Sequence, residues 1–229
     1  MRWMALIFVL IACEFGCQQL VASPATQSHL SESDANREAL LHYLKPILAE
    51  AKRAARIYYA GECKREGDYY WVSFPSVNVQ PPSGSDKGLA AVKGVLRDEK
   101  SVKISEGADG IIRIVIGRPP VALLDTKIPF LNFGPVQQYT ESQALSHIED
   151  SKEVGSALRR LGVSRDGVPL RISLGVNPDN RSPHLPASMS NLTMDKALDS
   201  VAKTFGNIVF YGACTERRLY TVYYVSLEP

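Results

Sequence analysis

"IYYAGEC", Ile57–Cys63, and "IVFYGAC", Ile208–Cys214, are the two stretches that decide the fold. Each is a short apolar run, rich in aromatic or β-branched residues, that carries one glycine and closes on a cysteine. That composition marks a buried strand. Set side by side, Ile57 answers Ile208, Gly61 answers Gly212 and Cys63 answers Cys214. After a two-residue slip in the turn, "YWVSF" at Tyr70–Phe74 answers "YYVSL" at Tyr223–Leu227, and both segments follow an amphipathic helix. The reading is an α+β protein. Small mixed or antiparallel sheets are packed by helices, and a helix–strand–strand unit stands at the start and again at the end of the body.

Strand alternation sends Ile208, Phe210, Gly212 and Cys214 to one face and Val209, Tyr211 and Ala213 to the other. Cys63 likewise shares a face with Ile57 and Tyr59, so each cysteine is expected on the side covered by its own helix. Two such units packed together would bring Cys63 and Cys214 within bonding reach. Closing so long a loop stabilises by about 5 kcal/mol in the chain-entropy account. Two reduced cysteines acting as small apolar residues are the other reading.

The choice depends on compartment. "MRWMALIFVLIAC" opens with one cation, Arg2, and an apolar run from Trp3 to Ala12. The run has the length of an export-signal core and is too short to span a bilayer. Its end, "LIAC" at Leu10–Cys13, resembles the lipobox of bacterial lipoproteins, which implies acylation of Cys13. Cleavage near 22–25, in "VASPA", is the alternative. Either places the mature chain outside the cytoplasm, where a lone pair of body cysteines is a disulfide candidate. The expected plan is therefore a signal at 1–12, a flexible tether at 13–33, a first α+β unit at 34–135 and a second at 136–229.

The 229 residues are 45% hydrophobic and 22% charged, with a net charge of +2. Such a balance leaves no electrostatic footprint for nucleic acid, and membrane contact is expected only through an N-terminal lipid. Along the chain, a helix carries Leu40, Leu41, Leu44, Ile47 and Leu48, with Pro46 expected to kink or divide it. Strands are expected at 57–62 and 69–74 across "KREGD", and a short helix in "GLAAVKGVLRDE". "SVKISEGADGIIRIVIG" reads as a hairpin turning at Asp109–Gly110, and "VALLDTKIPFLNF" as a strand interrupted by Pro129. Thr140 and Gln143 suggest a capping box for the next helix, which Gly162 stops. "VPLRISLGV" reads as a strand, "NPDNRSPHLPASMS" as an irregular loop, and "NLTMDKALDSVAKTF" as a helix capped by Thr193. Strands at 208–213 and 220–227 close the chain.

The segment Val168–Leu227 resembles the secretin and TonB short N-terminal domain. The likeness rests on "VPLRISL", then "NLTMDKALDSVAKTFGNIVFY", with Thr193, Ala197 and Leu198 at the positions that open the family's helix. It covers about a quarter of the chain. The resemblance implies protein–protein docking in the periplasm and implies no catalytic residue. The chain as a whole also resembles a type of exported bacterial protein.

Chemistry is sparsely marked. His29, His42, His147 and His184 show no metal-binding spacing, and no phosphate-cradling glycine loop occurs, so neither cofactor nor metal is expected. His184, near Ser182 and Ser188, lacks the G-x-S-x-G elbow of a hydrolase triad. "IED" at Ile148–Asp150 and "RDE" at Arg97–Glu99 read as solvated charge. The site-like feature is aromatic: Tyr59, Tyr70, Trp71, Tyr211, Tyr223 and Tyr224 crowd the two echoing segments. With His184 on the long loop they are the candidate binding surface, because tyrosine and tryptophan give large contact area at small entropy cost. The competing reading makes them half-buried strand residues. The functional expectation is a non-enzymatic envelope protein that docks a protein partner. An exported hydrolase and a self-assembling envelope component are the alternatives.

Overall fold

The structure, a computed structural model, describes residues 32–166 and 183–227. The signal, the tether as far as residue 31, Cys13, His29, Ser182 and the strand expected at 168–176 lie outside those residues, while Glu32 and Ser33, expected in the tether, open the first helix instead. Within them the chain is α+β, and its centre is one mixed six-stranded sheet. The chain order is α1 (Glu32–Ala51), β1 (Ala55–Ala60), β2 (Cys63–Glu66), β3 (Tyr69–Val72), α2 (Gly88–Val95), β4 (Val102–Glu106), β5 (Ile112–Ile116) and β6 (Lys127–Asn132). There follow α3 (Pro135–Tyr139), α4 (Glu141–Glu149), α5 (Lys152–Leu161), β7 (Ser164–Arg165), β8 (Ser188–Thr193), α6 (Met194–Phe205), β9 (Ile208–Cys214) and β10 (Leu219–Val225).

The sheet runs β4-β5-β1-β9-β10-β7. Its first three strands come from the first half of the body and its last three from the second. The halves meet where β1 and β9 pair in parallel, with Ile57 opposite Phe210 and Tyr59 opposite Gly212. Period-2 alternation divides the core in two. Ile57, Tyr59, Ile112, Ile114, Ile208, Phe210 and Cys214 pack under Leu40, Leu41, Leu44 and Leu48 of α1 and Val92 and Val95 of α2. Tyr58, Val209, Tyr211 and Ala213 face the opposite way, against Ala144, Leu145 and Ile148 of α4, Val154 of α5 and Leu198 and Val201 of α6.

Several expectations hold at the residue level. β4 and β5 form the expected hairpin, with Gly110 at φ 79° in its turn. Thr193 caps α6 by accepting from the Lys196 amide at 3.3 Å, and Gly206 ends the helix at φ 69°. Others change. α1 is not divided at Pro46. The proline deprives the His42 carbonyl of its helical partner, but both residues lie on the exposed face, where that group meets solvent. Thr140 precedes α4 without a side-chain cap. Ser188–Ser190, expected in a loop, pair with β6.

The echo also resolves differently in its two halves. β9 turns back on β10 within the main sheet, as expected. β1 instead pairs with β5 and β9, and the strand across "KREGD" pairs with β2 in a separate two-stranded sheet. Cys214 lies on the α1 side of the sheet rather than beneath its own helix α6. The two glycines have a shared reason. A Cβ on Gly212 would sit 2.1 Å from Tyr59 Cζ, and one on Gly61 would sit 2.0 Å from the Ser73 carbonyl oxygen. Both are points of close approach that only glycine permits.

Candidate functional site

The β2–β3 hairpin carries Tyr69, the most exposed of the large aromatic side chains among the described residues. Gly67, at φ 58°, makes its turn, and Lys64 pairs with Trp71, Arg65 with Tyr70 and Glu66 with Tyr69. Tyr69 is 66% exposed, while Tyr70 and Trp71 are half-buried. Arg65 holds its own turn by donating from Nε to the Gly67 carbonyl at 2.8 Å. Its guanidinium carbon lies 5.6 Å from the Tyr70 ring centroid. The guanidinium of Arg217, from the β9–β10 turn, lies on the same ring at 3.7 Å. Cation–π contacts of this kind hold both arginines against the aromatic face instead of leaving them free in solvent.

Four contacts close the hairpin and fix it to the body. Cys63 and Cys214 form the disulfide, with Cα atoms 5.5 Å apart. The Arg217 amide donates to Cys63 Sγ at 3.3 Å. At the base, the Ser73 amide donates to the Glu62 carbonyl at 2.9 Å, and the Phe74 amide donates to Ser33 Oγ at 2.6 Å. Phe74 itself enters the core between the rings of Tyr59 and Phe210, at centroid distances of 4.9 and 6.1 Å. Tyr70, Arg65 and Arg217 thus meet from two segments distant in sequence, while strand alternation sends Tyr69 and Trp71 to the other face of the hairpin.

The other candidate residues do not join it as a surface. Tyr59 and Tyr211 are each only 1% exposed, which corrects their assignment to a binding face. Burial pushes both phenols well above the usual tyrosine range. Central strands with helices on both sides leave no solvent face for their aromatics. Tyr223 is half-buried and stacks on Phe210, its opposite residue in β9, at 4.6 Å. Tyr224 is half-buried against the other core. His184 is exposed and lies 5.1 Å from the Tyr139 ring, remote in the chain from the hairpin.

A second cluster carries charge that the sequence did not advertise. Arg56 of β1 and Arg113 of β5 are opposite partners on adjacent strands, and Arg56 is fully buried. Asp199 of α6 lies across both, 2.9 Å from Arg56 Nη1 and 2.6 Å from Arg113 Nη2. Asp195 accepts from the Tyr58 hydroxyl at 2.9 Å, and its Oδ1 lies 3.2 Å from Arg56 Nη2. Asp109 holds Arg113 through two bonds, and that guanidinium keeps its carboxyl well below the usual range. With Lys196 also near Asp109 and Asp199, three cations face three carboxylates. Charges paired in this way hold a helix on a sheet, although Arg56 Nε and Nη2 have no hydrogen-bond partner. A surface cleft of about 390 Å³ borders the cluster, lined by Asp109, Met189, Leu192, Lys196 and Lys203 among others.

α4 supplies two further buried acids. Asn207 Nδ2 donates to Glu141, and burial pushes that carboxyl up to about 8. Glu149 pairs with Arg165, yet burial raises it to about 8 against the pull of the guanidinium. Glu149 therefore departs from the expectation that "IED" is solvated. "RDE" does lie at the surface, where Arg97 and Asp98 are exposed. Among the described residues no cluster of three or more His, Cys, Asp or Glu is arranged to hold a metal ion, and no helix is long and apolar enough to cross a membrane.

The sequence named Tyr70 and Trp71 but missed Arg65 and Arg217. The repeat of "CKRE" and "CTERR" after each cysteine was the available signal, since it sets basic residues beside both ends of one bond. Comparison with family models, with curated proteins and with solved structures gave no match.

Proposed function

We propose that this chain is an exported, non-enzymatic protein of the bacterial envelope that docks a protein partner through its β2–β3 hairpin. The observation that carries the reading is the aromatic hairpin itself, which presents exposed Tyr69 with half-buried Trp71 on one face and holds Tyr70 between Arg65 and Arg217 on the other. Tyrosine, tryptophan and arginine are the residues on which binding energy concentrates in protein interfaces, and rigid anchors lose little entropy on docking. The apolar leader and the lipobox-like "LIAC" support export, with Cys13 as the anchor to the membrane. The likeness of Val168–Leu227 to a periplasmic docking domain supports the same role.

The test is site-specific photo-crosslinking in the native envelope. A photoreactive residue at Tyr69 should trap one discrete partner, and the same probe at Glu50, an exposed position on α1, should not. Trp71→Ala should reduce the yield at position 69 by about tenfold or more, the loss expected of a central anchor. Equal yields from both positions would refute the docking role. Adducts of the chain with itself alone would make it a self-assembling component.

A further inference from the structure

We infer that the Cys63–Cys214 disulfide is a redox gate on the hairpin, holding Tyr70 and its two arginines together only while it is oxidised. The inference draws its purpose from the docking reading but its mechanics from the fold alone. β2 and β3 form a two-stranded sheet of their own, without a ladder to the main sheet. An isolated two-stranded hairpin is marginal in water, so its order depends on how its strands are tied down.

The two strands are tied unequally. β3 runs into the core, where Val72 and Phe74 are 4% and 3% exposed and the Phe74 amide bonds Ser33. β2 finds its ladder partners in β3; two residues before it the Gly61 amide donates to the Ala213 carbonyl at 3.0 Å, and beyond that point its tie to the body is the bond at Cys63. That same bond places the β9–β10 turn against the hairpin, since the Arg217 amide donates to Cys63 Sγ and the Arg217 guanidinium lies on Tyr70. Cut the bond, and the main sheet keeps its own ladders while β2 beyond Gly61 and the Arg217 turn lose the covalent link that joins them.

The two cysteines differ in exposure. Cys214 is 2% exposed, whereas Cys63 is half-buried at the edge. A dithiol reductant therefore attacks at Cys63: its thiolate bonds that sulfur, the Cys63–Cys214 bond breaks, and Cys214 leaves as a thiolate that takes a proton from water. The second thiol of the reductant then displaces Cys63, which is also protonated, and the reductant ends as a disulfide. The chain gains two protons and two electrons, and the reductant loses them.

Peptide-resolved hydrogen exchange on the full chain tests the gate without any partner. Three samples are compared: oxidised, reduced in non-denaturing buffer, and the double variant Cys63→Ala/Cys214→Ala. In both bond-free samples the amides of 64–71 should exchange at least tenfold faster, while those of β1 and β9 keep their protection. Unchanged protection at 64–71 would overturn the gate. Loss of protection throughout would overturn it too, because the bond would then be a staple for the whole fold. Failure of the crosslinking test with this exchange pattern intact would remove the docking partner and leave the gate standing.

Discussion

Asp199→Ala removes the carboxylate that lies across the Arg56–Arg113 pair, and its cost can be worked from the contacts it loses. Two charge-assisted hydrogen bonds disappear, at 2.9 and 2.6 Å, each contributing about 1.5–3 kcal/mol. The third contact, to Lys196, counts for little because that ammonium is 59% exposed. Two arginines then stand opposite each other on paired strands. Arg113 keeps Asp109, but Arg56 is 0% exposed and keeps only Asp195 as a carboxylate partner. Removing one member of a buried pair costs about 3–5 kcal/mol, because the remaining charge is left uncompensated away from water. The two lost bonds together give about 3–6 kcal/mol, which overlaps that range. Urea denaturation followed by circular dichroism should show the unfolding free energy fall by that amount, through a lower midpoint at unchanged slope. Asp109→Ala, at a position 27% exposed, should cost about 1 kcal/mol. Arg56→Met combined with Asp199→Leu should regain most of the loss, since an apolar pair needs no compensation. A loss below about 1 kcal/mol for Asp199→Ala would refute the view that this cluster holds α6 to the sheet.

Gly212→Ala should destabilise by at least 1–3 kcal/mol and lower Tm, because the new methyl meets the wholly buried Tyr59 ring at 2.1 Å; an unchanged Tm would show that the ring can yield. Glu141 binds its proton more tightly folded than unfolded, its carboxyl being raised from 4.5 to about 8 by burial. The folded state therefore holds more protons between those values. Stability is full below about pH 4.5 and declines as pH rises toward about 8, by up to roughly 1.4 kcal/mol per pH unit. Glu141→Gln, neutral at every pH, should flatten part of that decline in Tm measured from pH 5 to 8, with Glu149 retaining the rest; an unaltered slope would place the pH dependence elsewhere.

How much of this was legible in the sequence depends on whether a local pattern or a distant partner decides each feature. α6 was readable in full because its cap, apolar stripe and glycine stop are contiguous, and Thr193, Val201 and Gly206 sit where a lone helix would want them. The β4–β5 hairpin was readable for the same reason. Which strands neighbour β1 was not, since Ile57 reports only that it is buried and not that Ile114 and Phe210 flank it. Among the candidate residues, Tyr70 and Tyr59 share type and setting in sequence. One lies on a two-stranded hairpin at the rim and the other on a strand covered by helices on both faces. That difference is set by the sheet order β5-β1-β9, which no local pattern encodes. Arg56 was hidden likewise: a single arginine amid "ARIYYA" looks like a strand-edge charge until α6 brings Asp195 and Asp199 over it.

The echo itself is best understood as a requirement of one junction instead of a repeated unit. β1 and β9 lie side by side and parallel, so the chain must leave both at the same end of the sheet. Ile57 and Ile208 both face α1, although only one of the two strands follows that helix. Had the segments been two copies each packed by its own helix, their matched residues would face α1 and α6 in turn. They share a face because they share one core, and the like positions answer like neighbours: an apolar floor under α1, a glycine where another group closes in, and a cysteine where the strands leave. Gly61 admits the Ser73 carbonyl and Gly212 admits the Tyr59 ring, two different groups at two matched positions. The disulfide then joins the two exits. Similar sequence at two sites of one sheet can thus arise from similar surroundings, and the hairpin beyond Cys63, which β9 does not copy, is where the segments part and where the exposed aromatics lie.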